Sequence, residues 1–213
     1  MSKGAHYKLH FGPGEQWKKP GPEWLTIDID PIRADILLDF NKFTEMPLPD
    51  NSVSCIYGSH VFEHMSIFAA PVVFSECFRV LVPGGFFRLV LPDVRKSIEE
   101  YMKGNINFPL FRRRINFLRK RCGYDEVTIF EALKGDFLSP TGQPALLGET
   151  GLAHQNAWDY ESIVCDLGRA GFSPGKIKKM GFRKTDCFDF EFEGTYPSEA
   201  NEEYRSLYVE ARK

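Results

Sequence analysis

The stretch from Val53 to Asp93 limits the possible folds more than any other part of the chain. It opens with a short apolar run, VSCIY, that stops at Gly58-Ser59-His60. Phe68, Val72, Val73, Phe74, Phe78 and Leu81 then recur at broadly helical spacing. Pro71 puts the start of the regular helix near itself, because a proline in the first turn gives up an amide that the helix would not use. Pro83-Gly84-Gly85 ends that run, and FFRLVL follows as a second apolar run halted by Pro92-Asp93. Two short buried strands joined through a helix are the pattern of a parallel sheet with helices packed on it.

The flanking sequence extends the sheet in both directions. Tyr7 to Phe11 reads as a strand bounded by Gly12-Pro13-Gly14, and Trp24 to Ile29 as a second closed by Asp30-Pro31. Ala34 to Phe40 is a candidate third strand, and Met46 to Ser52, with two prolines and Asp-Asn-Ser, is a turn. Tyr160 to Ala170 reads as a helix with Asp159 as N-cap and Gly171 beyond its end. Lys176 to Lys184 and Ser206 to Arg212 suit a terminal antiparallel pair, joined by a loop carrying Asp189, Glu191, Glu193 and Glu202. The expected fold is therefore α/β, a Rossmann-like, doubly wound, mostly parallel sheet with an antiparallel C-terminal strand. The 213 residues suit one domain spanning 1–213. Within it, residues 95–153 read as a substrate-side insertion: helical runs at Ser97 to Lys103 and Phe111 to Arg121, then a Gly-, Pro- and Thr-rich connection from Asp136 to Gly151.

Composition narrows the function classes. A net charge of -2 gives no global attraction to nucleic acid or anionic membrane, so nucleic acid is not the expected partner. Cys55, Cys77, Cys122, Cys165 and Cys187 are scattered, lack CxxC spacing and have no paired histidines nearby; buried free thiols are expected, with neither a metal site nor a disulfide framework. Met1-Ser2-Lys3-Gly4 has no apolar leader, and no run nears the length of a membrane span, so the expected setting is cytoplasmic.

Open parallel sheets take ligands at the carboxyl ends of their strands, and Gly12, Gly14, Asp28, Asp39, His60 and Asp93 all fall there. Glycines let the backbone approach a ligand closely, and a carboxylate ending the next strand can accept both hydroxyls of a ribose; Asp28 and Asp30 both end that strand. His60, Glu63 and His64 form a compact acid–base cluster that could remove a proton near neutral pH. A helix beginning at His60 would put His60 and His64 on one face; alternatively His64 packs that helix and Glu63 pairs with Arg79 or Arg88. His154, with Gln155 and Trp158, either closes over the site or is a solvated loop residue, and Asp93 is either an acceptor-side acid or a turn residue. Arg112, Arg113, Arg114, Arg119, Lys120 and Arg121 form a basic patch, suited to an anionic substrate or simply a solvated helix face.

Taken in order, LHFGPG, EWLTIDIDP, DFNKFTEMPLPDNSVSCIYGSHVFEHM, ECFRVLVPGGFFRLVLPDV, WDYESIVCDLGRAGF and SLYVEARK resemble the class I S-adenosylmethionine-dependent methyltransferases, in particular the small group labelled methyltransferase type 11. The resemblance covers nearly the whole chain. It implies S-adenosylmethionine as cofactor, held by Phe11, Gly12, Gly14, Asp28, Ile29, Asp39, Asn41, Ser59 and His60. It further implies methyl transfer to O or N of a small-molecule or glycan-precursor acceptor, with His60, Glu63 and His64 as candidate catalytic groups. A protein that keeps the fold but only binds or scaffolds is the alternative. The sequence departs from the family at Glu15 to Glu23, where Pro20-Gly21-Pro22 leaves no room for the helix that usually follows the glycine motif.

Overall fold

The computed structural model describes residues 6–42, 44–138 and 153–213. Seven strands form one sheet: β1 (Tyr7–Phe11), β2 (Trp24–Asp28), β3 (Ile36–Leu37), β4 (Val53–Ser59), β5 (Leu81–Pro92), β6 (Ile177–Met180) and β7 (Ser206–Arg212), in the spatial order β3-β2-β1-β4-β5-β7-β6. All contacts among β1 to β5 are parallel, whereas β7 runs antiparallel to both β5 and β6. Only β7 is therefore reversed. The strand order changes direction between β1 and β4, so their connections leave on opposite sides and open a crevice at their carboxyl ends.

The strand edges differ from the sequence expectation in two informative ways. Pro83-Gly84-Gly85 does not separate helix from strand. It lies inside the long β5, where the pairing with β4 shifts register between Val53 and Cys55, and such an irregularity absorbs residues the ladder cannot pair. The third strand shrinks to Ile36–Leu37, because Asp35 and Thr26 bond one another's backbone and side chains at the strand entry.

One face of the sheet is covered by α1 (Ala69–Val80) and α5 (Tyr160–Arg169), which pack on Leu9, Phe11, Ile56, Phe87 and Leu89. The start of α5 is fixed by a reciprocal capping box between Asp159 and Ser162, a device worth about 1 kcal/mol. The opposite face carries no long helix among the described residues. Trp17, Trp24, Tyr57, Phe190 and Phe192 cover it instead, the last two from a 3-10 segment, Phe188–Gly194. Under that segment lies Arg88, 1% exposed, bound by both oxygens of Glu193 at 2.7 Å and by Glu210 at 2.6 Å, with the Lys184 carbonyl at 3.1 Å. The second Glu210 oxygen accepts the Asp186 amide, so this buried ion group is satisfied on every side.

Three helices, α2 (Val94–Met102), α3 (Pro109–Cys122) and α4 (Ile129–Phe137), follow β5 and share their own apolar cluster around Phe108, Phe111, Ile115 and Leu133. Asp93 caps α2 by accepting the Lys96 amide. Most of the expected Asp136 to Gly151 connection lies outside the described residues. Of the thiols, Cys55, Cys77 and Cys187 are buried and free, whereas Cys165 is exposed on α5. No helix among the described residues is long and apolar enough to cross a membrane.

Candidate active site

A cleft of about 1330 Å³ opens at the carboxyl ends of β1, β2 and β4. Its floor is the turn after β1. Gly12 and Gly14 adopt φ of 57° and 68°, and a Cβ on Gly12 would sit 2.7 Å from Val61, so only glycine fits there without displacing the β4 exit. A Cβ on Gly14 would meet nothing within 4 Å. From Glu15 to Glu23 the chain makes turns and no helix.

Asp28 ends β2 on the cleft wall. Its Oδ1 accepts the Asp30 amide at 2.9 Å. Burial, the leading influence, raises its pKa against the opposing pull of that amide and of Arg33. Asp30 is spent within its own turn, one oxygen on the Ile32 amide at 2.9 Å and the other facing Arg33 at 3.3 Å. Ile29, 49% exposed, lines the cleft beside Asp28. Asp39 also lines it, bonded to the Asn41 amide and paired with Lys42. Asn41 reaches the wall too, but its side chain is used in cross-linking: Nδ2 donates to the His64 carbonyl and Oδ1 accepts the Ser66 amide. Phe11, expected among the cofactor-facing residues, has its side chain in the core, fully buried and stacked on Phe40 at 5.3 Å.

The exit of β4 carries the acid–base cluster. The helix expected to begin at His60 does not form there: His60 takes the left-handed φ of 50°, and only a short 3-10 turn, Phe62–His64, follows. The left-handed residue folds the chain back, so the cluster is assembled by a turn and not by helical spacing. Glu63 is 1% exposed and pairs with neither Arg79 nor Arg88, which are held by Glu76 with Asp50 and by Glu193 with Glu210. It sits instead 3.4 Å from His60 Nδ1 and 3.8 Å from His154 Nε2. Desolvation pushes the Glu63 carboxyl up, but His60, His64 and His154 outweigh it and hold the pKa below its ordinary value. Both Glu63 oxygens, His60 Nδ1, His64 Nδ1 and Ser59 Oγ are buried without a hydrogen-bond partner.

His154 is not solvated. It is 6% exposed and its ring lies edge-on to His64, with centroids 4.9 Å apart. The backbone fastens it there, because the Glu63 carbonyl accepts both the Gln155 and Asn156 amides, at 2.8 and 3.1 Å. Trp158 turns away into the core, where its indole donates to Asp166.

Sequence reasoning missed the opposite wall. Tyr196, Pro197, Ser198 and Glu199 line the cleft although no motif marks them. His60 Nδ1 faces Glu199 at 3.3 Å, and its Nε2 lies 3.0 Å from Ser206 Oγ. Ser206 directs its hydroxyl at the Glu199 carbonyl, which makes Nε2 of His60 the donor toward Ser206. Nδ1 is left facing two carboxylates, Glu63 and Glu199. Burial would raise the Glu199 carboxyl, but His60, Arg205 and Arg113 bring it down to about 2, although nearly half of its side chain is exposed. The basic patch lies away from the lining, with Arg113 tied to Glu202, and Asp93 serves α2 as described above.

A mostly parallel sheet with one reversed strand near its edge and a crevice between β1 and β4 defines the Rossmann-like architecture of the class I methyltransferases. A SAM-dependent methyltransferase from Archaeoglobus fulgidus shares it, with a TM-score of 0.52 at 15% identity over 99% of this chain and 87% of that one. Residues 27–89 match the family model described as a methyltransferase domain. A probable S-adenosylmethionine-dependent methyltransferase from Mycolicibacterium smegmatis is 46% identical over 52 residues, 24% of this chain, and the chain spans only 20% of that relative's length. Residues 27–89 thus carry the likeness to a methyltransferase domain, and the sheet around them has the fold of the Archaeoglobus fulgidus enzyme.

Proposed function

We propose that the protein transfers a methyl group from S-adenosylmethionine to an oxygen or nitrogen of a small-molecule or glycan-precursor acceptor. The observation that carries the reading is Asp28: a largely buried carboxylate at the end of β2, one oxygen taken by its own turn, on the wall of a cleft whose floor is the Gly12–Gly14 turn. The residues present fit the cofactor, since the space beside Gly14 is open and Ser59 Oγ is buried and unspent. Asp28 would hold the ribose hydroxyls by charge-assisted hydrogen bonds. Asp30 is the weaker choice, because both of its oxygens are committed. The Gly12–Gly14 backbone would lie along the methionine part, Ile29 and Asp39 beside the adenine, and Ser59 beside the sulfur. When bound, S-adenosylmethionine supplies an activated methyl group, so the chain's own task is to align an acceptor and exclude water. His60, Glu63 and His64, with His154, form the polar wall where an acceptor hydroxyl or amine would be held and relieved of its proton.

The test is calorimetry with the demethylated cofactor, S-adenosylhomocysteine. Asp28→Asn should weaken binding about ten- to hundredfold, as for loss of a charged hydrogen bond, whereas Asp30→Asn should change it little. No binding to the wild type would overturn the cofactor assignment. A second reading, a binding protein without chemistry, is favoured by one observation, the absence of a helix after the glycine turn, which removes a positive helix end from the methionine carboxylate. Transfer of label from methyl-labelled cofactor to any member of an acceptor panel would eliminate it.

A further inference from the structure

The Glu63 carboxylate is 1% exposed with no hydrogen bond on either oxygen, and the nitrogens of His60 and His154 stand 3.4 and 3.8 Å from it. A buried carboxylate in that state has both oxygens available to a ligand. His64 Nδ1, buried and also without a partner, lies next to it in sequence, and the ring of His154 stands against the ring of His64. One ligand atom from each of Glu63, His64 and His154 falls within 4.8 Å of the others. A triangle with no side above 4.8 Å has a point within about 2.8 Å of every corner, against about 2.1 Å for metal–imidazole and metal–carboxylate bonds. Side-chain rotations of under about 1 Å per ligand would close the difference.

We propose that Glu63, His64 and His154 bind one first-row divalent transition-metal ion at the wall of the cleft. Two imidazoles and one carboxylate suit zinc, iron, cobalt or nickel and disfavour magnesium or calcium, which take oxygen ligands. The scaffold is built for it: Gln155 and Asn156 fasten the His154 segment to the Glu63 carbonyl, and Asn41 and Gln155 fix the His64 carbonyl. His60, 3.4 Å from Glu63 and anchored on Ser206, would orient the carboxylate from its other side, the usual part of an outer partner to a metal ligand. His64 and His154 line the cleft, so the ion's remaining positions open toward an oxygen or nitrogen donor of the acceptor. Three protein ligands with open positions are the arrangement of a site that engages a substrate. The metal site rests on this cluster and not on methyl transfer.

The experiment uses the full chain, free of any affinity tag and stripped with EDTA, titrated with Co²⁺ while visible absorption is recorded. One equivalent should give ligand-field bands that Zn²⁺ abolishes by displacement. Glu63→Gln and His154→Gln should each weaken Co²⁺ about tenfold or more, whereas His6→Gln, an exposed histidine far along the chain, should not. Far-UV circular dichroism and S-adenosylhomocysteine binding report whether each variant is folded, independently of the metal. Absence of bands in the stripped wild type at stoichiometric Co²⁺ overturns the proposal without recourse to any variant. Unchanged Co²⁺ affinity in folded Glu63→Gln and His154→Gln overturns it equally.

Discussion

Two groups of buried charge, one on a face of the sheet and one at its carboxyl edge, are finished to different degrees. Around Arg88, every oxygen of Glu193 and Glu210 named above meets a donor at 2.6 to 2.9 Å. Around Glu63, the nearest nitrogens stand at 3.4 and 3.8 Å and hydrogen-bonding capacity is left over. The first group joins β5, β7 and the 188–194 segment, which otherwise share few covalent constraints, and its completeness is what a structural clamp requires. The second stands at the carboxyl edge of the sheet and faces the cleft. Leftover capacity there is a preparation for a ligand, because an unmade buried hydrogen bond is costly if nothing ever makes it.

The contrast is tested most strongly by removing one charge from each group. Arg88→Met should lower stability by about 3–5 kcal/mol, since it strands two buried carboxylates; a urea denaturation curve measures this, and a loss under about 1 kcal/mol would deny the clamp its structural role. A smaller, pH-dependent effect is expected at Glu199. Its carboxyl pKa is depressed from 4.5 to about 2, so its contribution is present above pH 4.5 and disappears as the pH falls toward 2. The urea midpoint of Glu199→Gln should therefore lie below that of the wild type at neutral pH, and the gap should narrow across that window; a constant gap would mean that His60 and Arg205 do not stabilise the carboxylate. The smallest effect belongs to Glu63→Gln. In EDTA its stability at neutral pH should fall by no more than about 1 kcal/mol, because the carboxylate has no hydrogen bond to lose and the substitution keeps its shape, so that only the attraction of the neighbouring imidazoles is removed. A loss as large as that of Arg88→Met would show that both groups are structural clamps.

These differences also explain which parts were legible in the sequence. Strands β1, β2 and β7 and helices α1 and α5 announce themselves through local signals: apolar runs closed by Gly or Asp-Pro, a proline near a helix start, the Asp159 cap. The cleft-lining positions of Gly12, Gly14, Asp28 and Ser59 follow from the same signals, because strand ends are local events. Glu199 and the partners of Arg88 are not local. Glu193 lies 105 residues from Arg88 in sequence, and nothing near either residue specifies the other. Phe11 was misplaced because position next to a glycine motif says nothing about which way an alternating strand points its side chain. Helix α4 was not visible either: its capping box, Thr128 with Glu131, lies in a stretch whose other signals are weak. The metal-ligand geometry escaped because His154 joins His64 only through the fold.

The two consecutive carbonyls of Glu63 and His64 receive bonds from Gln155, Asn156 and Asn41. Two separate stretches of chain, at Asn41 and at Gln155–Asn156, are therefore buttoned to one dipeptide. Neither can lift away alone without exposing an acceptor that the other shares, so the rim around the cluster should open as a unit or stay shut. Amide exchange at Gln155 and Asn156 should then follow one common opening rate, and Asn41→Ala, a substitution outside that segment, should speed both.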